Sequence, residues 1–134
     1  MSETLKQYLW VALGSMIGGV GRFCISGLVT GKMGRVFPWD ILLINVTGSL
    51  VIGALGAVTA AGGKLGSDLR TIGISFLMIG VCGGYTTFSS FSLGTLRLAL
   101  DGEWLYAAAY VIGSVVFCLL AVALGWWLGQ KIMA

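Results

Sequence analysis

Four apolar stretches dominate this chain of 134 residues: Tyr8–Val29, Trp39–Ala60, Thr71–Leu100 and Trp104–Trp127. Each matches or exceeds the roughly 20 apolar residues that carry a helix across a bilayer. Only 10% of residues are charged, against about 25% in a soluble domain, so too few polar side chains remain to coat a globule. The pattern predicts an all-α membrane protein, with one four-helix transmembrane domain over residues 1–134. Polar, glycine-containing turns punctuate the spans at Gly31–Pro38, Gly62–Asp68 and Asp101–Glu103. Tyr8, Trp10, Trp39, Trp104, Tyr106, Trp126 and Trp127 lie at the span ends, where interfacial aromatics are expected. The first apolar run continues past the length of a signal-peptide core, which predicts a retained helix.

The third span contains an anomaly. Residues 83–92 read Gly-Gly-Tyr-Thr-Thr-Phe-Ser-Ser-Phe-Ser. Two glycines and five hydroxyl side chains weaken a helix inside a membrane, where unwound backbone survives only if protein buries it or it lines a wet cavity. Thr71 to Cys82 covers about 18 Å at α-helical rise, which puts an expected break at Gly83 near mid-membrane. A helix that ends there releases carbonyls able to hold a cation. Beyond it, Thr86, Thr87, Ser89, Ser90 and Ser92 offer hydroxyl donors. Phe88 and Phe91 share a face if that stretch is helical, and their ring edges carry partial positive charge. The plainer reading is a kinked helix whose Ser and Thr satisfy their own backbone.

Other polar residues also lie inside spans. Arg22 either snorkels toward the interface or faces a wet vestibule. Asn45 either joins helices or donates its amide protons to an anion. Thr47 and Ser49 are expected to bond back to their own helix. Tyr110, Ser114 and Cys118 recur every fourth residue and share a helical face, as a polar track or as ordinary packing. Gly14/Gly18, Gly27/Gly31, Gly80/Gly84 and Gly125/Gly129 have the small-xxx-small spacing of close helix contacts. Cys24, Cys82 and Cys118 read as buried small hydrophobes.

Four spans place both termini on one side. That side carries Lys6, Lys64, Arg70 and Lys131; the other carries Lys32, Arg35 and Arg97. This near balance gives the positive-inside rule little to choose between, so insertion in both orientations with antiparallel pairing is expected. A four-helix bundle is also thin for enclosing a pore alone.

The residues Gly83-Gly84-Tyr85-Thr86-Thr87-Phe88-Ser89-Ser90-Phe91-Ser92, with Gly21-Arg22 and Asn45-Val46-Thr47-Gly48, resemble the Fluc/CrcB family of fluoride channels over nearly the whole chain. The resemblance implies an antiparallel, dual-topology homodimer in the inner membrane that exports fluoride passively. It implies a structural sodium ion at the dimer centre on backbone carbonyls of Gly83 and Thr86. It further implies pore roles for Phe88, Phe91 and Asn45, a vestibule role for Arg22, and a polar track through Tyr110 and Ser114. The chain departs from the family pattern at Cys118 and Val122, where the track lacks hydroxyls, and at Gly94, where a glutamate is common.

Composition excludes several classes. No basic stripe interleaves with exposed aromatics, so nucleic acid is not an expected partner. The chain has no histidine, and no nucleophile lies beside a base, so an enzyme is not expected. Glu3, Asp40, Asp68, Asp101 and Glu103 all fall near span ends or in loops. A small multidrug-resistance-type proton-coupled antiporter is the alternative, but it needs a glutamate inside the first span. A non-transporting scaffold subunit would need no cluster of hydroxyls within a span.

Overall fold

Helix α1 runs over Glu3–Met33. The Ser2 hydroxyl accepts the Leu5 amide at 3.3 Å, and Glu3 pairs with Lys6 at 2.6 Å, so the first turn is capped locally. Gly34, with φ of +80°, ends it. Helix α2 spans Trp39–Ala60 and helix α6 spans Trp104–Met133. Between them the third span is built in pieces: α3 at Ser67–Ile72, a π-helical segment at Gly73–Cys82, a single turn α4 at Gly83–Tyr85, and α5 at Phe88–Leu100. The computed structural model describes residues 2–34, 36–60 and 66–134. All elements among the described residues are helical, and four spans are long and apolar enough to cross a membrane: Glu3–Met33, Trp39–Ala60, Asp68–Leu100 and Trp104–Met133. Arg35, Lys64 and most of the Gly62–Asp68 turn lie outside the described residues, so the charge balance there rests on sequence alone.

The spans run further than the apolar stretches suggest. Backbone hydrogen bonding continues through the polar flanks, adding Glu3–Gln7 before Tyr8 in α1 and Leu128–Met133 after Trp127 in α6. The interruption of the third span also differs from expectation. Gly83 and Gly84 are helical, and the extended residues are Thr86 and Thr87. The reckoning by α-helical rise fails too, because the preceding ten residues are wound as a π-helix.

Packing explains part of this displacement, because it claims Gly84. Gly14 on α1 abuts Phe76 and Gly80, Gly18 abuts Val81, and Gly84 abuts Ser15; a Cβ at any of them would strike backbone. This draws α1 against the π-helical segment. A second tight pair joins α2 to α6, where Gly53 abuts Val122, Gly125 abuts Leu50, and Gly129 abuts Ala54. The two helices run in the same direction, since Leu42 meets the Ala107–Tyr110 end and Ala54 meets the Gly129 end. Gly27 and Gly31 differ: no described residue lies within 4 Å of where their Cβ atoms would sit.

A small core forms where α5 packs against α2 and α6. Leu42, Leu98, Ala107 and Tyr110 are buried together, with Phe37, Ile41, Val46 and Phe91 against them. Cys82 is buried, but Cys24 is exposed on the single chain and Cys118 is half-buried, so only Cys82 fits the buried reading of all three. Cys24 lies on α1, whose large side chains at Val20, Phe23 and Leu28 also face outward.

The α2–α6 contact makes a testable statement. A methyl added at Gly125 meets the Leu50 carbonyl, which belongs to a helix backbone and cannot yield cheaply. Gly125→Ala should destabilise the protein by about 1–3 kcal/mol. Gly113→Ala, whose Cβ would make only ordinary contact with Phe117, should change stability by less than about 0.5 kcal/mol. Thermal unfolding of the purified protein in detergent measures both.

Candidate functional site

The site is organised by how the chain leaves and re-enters helix at Thr86–Thr87. The Thr86 amide and hydroxyl both donate to the Cys82 carbonyl, at 2.9 and 2.8 Å, closing the last turn of the first segment. Thr87 is the N-cap of α5, and its hydroxyl accepts the Ser90 amide at 3.1 Å. The Thr87 amide would go to the Gly83 carbonyl in a continuing helix. It goes instead to Asn45 Oδ1 at 2.8 Å, while Asn45 Nδ2 donates back to the Thr87 carbonyl at 3.1 Å. The Asn45 amide therefore replaces a peptide group for the interrupted chain. One of its two N–H bonds is committed and one remains, so it has half the donor capacity that the sequence suggested for an anion.

The same interruption brings hydroxyls and rings together. Thr87 Oγ1 donates to Ser90 Oγ at 3.1 Å and lies 3.1 Å from Ser89 Oγ. Helix α5 starts at Phe88, so Phe88 and Phe91 do share a face, with centroids 5.4 Å apart. Phe91 lies 5.2 Å from the Tyr110 ring, and Phe37 closes the far side of Tyr110 edge-on at 5.4 Å. Phe88 is 78% exposed on the single chain, while Phe91 is half-buried.

Beside this lies a cleft of about 310 Å³. Asn45 and Ser49 of α2, Thr86 and Thr87 of the interruption, and Ser114 and Cys118 of α6 all contribute to its walls, together with Phe88 and Phe91. Among the described residues, its lining contains no carboxylate and no cationic side chain. Tyr110 is fully buried and Ser114 is 6% exposed, yet neither hydroxyl has a hydrogen-bond partner among the described residues. A buried polar atom left unpaired costs about 1–3 kcal/mol, so both are expensive unless something else meets them.

A second cleft, of about 390 Å³, opens where α1 and α5 end and α2 begins, with Thr30, Asp40, Ser90, Arg97 and Asp101 in its walls. Ser26 donates to Asp40 there and fastens α1 to the start of α2. Because Thr87 lines the first cleft and Ser90 the second, the Thr87–Ser90 hydroxyl pair stands between them.

The expected site residues are thus sorted by geometry. Asn45, Thr86, Thr87, Phe88, Phe91 and Ser114 meet at the first cleft, Tyr110 stacks on Phe91, and Ser90 links to Thr87. Gly83 sits on the surface of the single chain, one turn before Thr87. Arg22 is half-buried on α1, away from the cleft walls, and makes no ion pair among the described residues. The plain reading of Ser49 fails: Thr47 does bond back, to Leu43 and Ile44 at 2.7 and 3.2 Å, but Ser49 faces the cleft. Its position four residues after Asn45, on the same helical face, was the signal. Thr47 also meets the Tyr85 hydroxyl at 3.0 Å, a contact between α2 and the third span that spacing alone does not reveal.

The sequence profile described as CrcB-like protein, Camphor Resistance (CrcB), matches residues 9–126. The chain belongs to the CrcB family. Among its CrcB relatives, a protein of Rhodospirillum rubrum named fluoride-specific ion channel FluC is 52% identical over 120 residues, covering 88% of this chain and 90% of that one. Proteins of the same name from Methylocella silvestris and Opitutus terrae are each 51% identical, covering 89% and 90% of this chain and the same shares of themselves. With its four spans, this CrcB protein is a multi-pass membrane protein.

The unpaired hydroxyls carry a prediction about stability. Tyr110→Phe and Ser114→Ala each remove an unsatisfied buried oxygen while keeping most of the side-chain volume. Each should leave the melting temperature unchanged or raise it, with a gain of up to about 1 kcal/mol. A marked drop on melting in detergent would mean that the hydroxyls are paired within the fold.

Proposed function

We propose that this protein is a passive, fluoride-selective channel of the inner membrane that relieves the cell of toxic fluoride. The observation that carries the reading is the pair of buried hydroxyls, Tyr110 and Ser114, without partners among the described residues. Each has a proton to donate and no acceptor. A fluoride ion is small, negative and only accepts hydrogen bonds, so it supplies what they lack. The remaining Asn45 proton and the Phe91 ring edge extend the same chemistry along the cleft. The names of the relatives agree with it. Shedding water from so small an ion is costly, and a route that replaces water with fixed donors at close range lowers that cost without a chemical step. The absence of a carboxylate from the cleft lining favours an anion path over proton-coupled cation exchange.

The working unit in this reading is an antiparallel homodimer of oppositely inserted copies. Phe88, 78% exposed, would be covered by the second copy and complete a wall that one chain leaves open. Gly27 and Gly31, with open space before them, are free to serve the same contact. A structural sodium ion also fits the residues present. The Gly83 carbonyl loses its helical donor because Asn45 takes the Thr87 amide, and Thr86 is extended. Main-chain oxygens of Gly83 and Thr86 are hard donors of the kind sodium takes, and the ion would neutralise their gathered negative ends. The side chains then matter less than the interruption that Asn45 keeps open.

Purified protein in liposomes loaded with fluoride should release it without a proton gradient, read by a fluoride electrode. Phe88→Ile and Phe91→Ile should each slow release by about tenfold or more, since each removes a ring edge facing the ion, while the protein elutes as before. No release from the unaltered protein would overturn the channel reading. Tags at the termini should be reached from both sides of the cell membrane; a single orientation would overturn the antiparallel pair.

A further inference from the structure

We infer that Ser49 on α2 is a fluoride-contacting residue that continues the hydroxyl track where α6 turns to Cys118. The inference rests on the channel reading above and adds a residue to it. The track on α6 offers hydroxyls at Tyr110 and Ser114, then a thiol at Cys118 and an apolar side chain at Val122. A thiol is a weak donor, so a route confined to α6 would end one turn past Ser114. The structure supplies the missing hydroxyl from the neighbouring helix.

Two observations place it there. The first is register. Helices α2 and α6 run parallel and are locked by glycine, with Gly53 against Val122. One turn back along both, Ser49 stands level with Cys118; one turn further, Asn45 stands level with Ser114. The second is the cleft itself. Ser49, Cys118, Asn45 and Ser114 all line it, and the Ser114 hydroxyl, buried and unpaired, marks that wall as built for a ligand. Ser49 is not consumed locally. The back-bond to the preceding turn belongs to Thr47, and no side-chain partner for Ser49 occurs among the described residues.

An ion leaving Ser114 away from Phe91 therefore meets Ser49 on α2 and Cys118 on α6. The donor has moved from α6 to α2 without a gap along the path, because a turn of each helix advances by the same 5.4 Å. Only a donor's position across the cleft changes, so exchanging the two side chains should preserve the route.

Fluoride efflux from liposomes tests this with the full-length protein. Ser49→Ala should slow release on the order of tenfold, the scale of one lost hydrogen bond to an ion. Ser49→Thr, which keeps the hydroxyl, should conduct as the unaltered protein does. The deciding variant is Ser49→Ala with Cys118→Ser, which returns the hydroxyl to α6 and should recover most of the lost rate. Loss in Ser49→Ala without recovery in the double variant would overturn the inference and mark Ser49 as a packing residue. Unchanged release in Ser49→Ala would overturn it as well, while leaving the channel reading intact. Melting of each variant in detergent, expected to match the unaltered protein, separates lost conduction from lost folding.

Discussion

The pair of hydrogen bonds between Asn45 and Thr87 is the constraint on which the site depends. An interrupted helix frees peptide N–H and C=O groups, and inside a membrane no solvent satisfies them. The Asn45 side chain is itself an amide, so it offers one donor and one acceptor at the spacing a peptide would. With Thr87 held, its hydroxyl caps α5, and α5 begins with Phe88. The ring pair, the Thr87–Ser90 hydroxyls and the release of the Gly83 carbonyl all follow from that one exchange of partners. Leucine at position 45 would leave both Thr87 groups unpaired, and the helix would be driven to close.

Much of this was legible in the sequence, and the parts that were not have a common cause. The spans were readable because bilayer thickness imposes a length on every apolar helix. The motif around Phe88 was readable because glycine and hydroxyl residues are out of place in lipid. The position of the interruption was misplaced by three residues, since conformational freedom alone points to Gly83 and Gly84. Those residues are used otherwise: Gly84 admits Ser15 of α1, and the helix continues through both. The break falls where a partner from another helix outcompetes the helical acceptor, and such a partner is a tertiary fact. Ser49 was misread for the same reason. Thr47 and Ser49 look alike in sequence, and only the placement of α6 sends one to its own backbone and the other to the cleft.

The site also exposes a tension between stability and use. Tyr110 and Ser114 are both buried, Tyr110 against the Phe37 and Phe91 rings and Ser114 in the wall that α6 shares with α2. Apolar replacements would pack as well and cost less. In the proposed channel, a hydroxyl held there without a partner would cost stability until an ion meets it. A bound ion that relieved the whole penalty would be held too tightly to leave. Hydroxyls with a neighbouring oxygen to return to, as Thr87 has in Ser90, would keep that exchange close to balance.

The architecture explains how so small a chain holds these donors still. Two glycine-packed helix pairs, α1 with the π-helical segment and α2 with α6, act as rigid halves, because backbone meets backbone and no side chain can relax between them. The third span belongs to the first half up to Tyr85 and to the second from Phe88, where Phe91 joins the Leu42–Tyr110 core. Its interruption is the crossing between the halves. A continuous helix could not serve both, because its Phe91 end would project in line with the π-helical segment rather than turn into the α2–α6 wall. The fold therefore requires a break in the span that links the halves, and the donors that the break gathers stand at the seam.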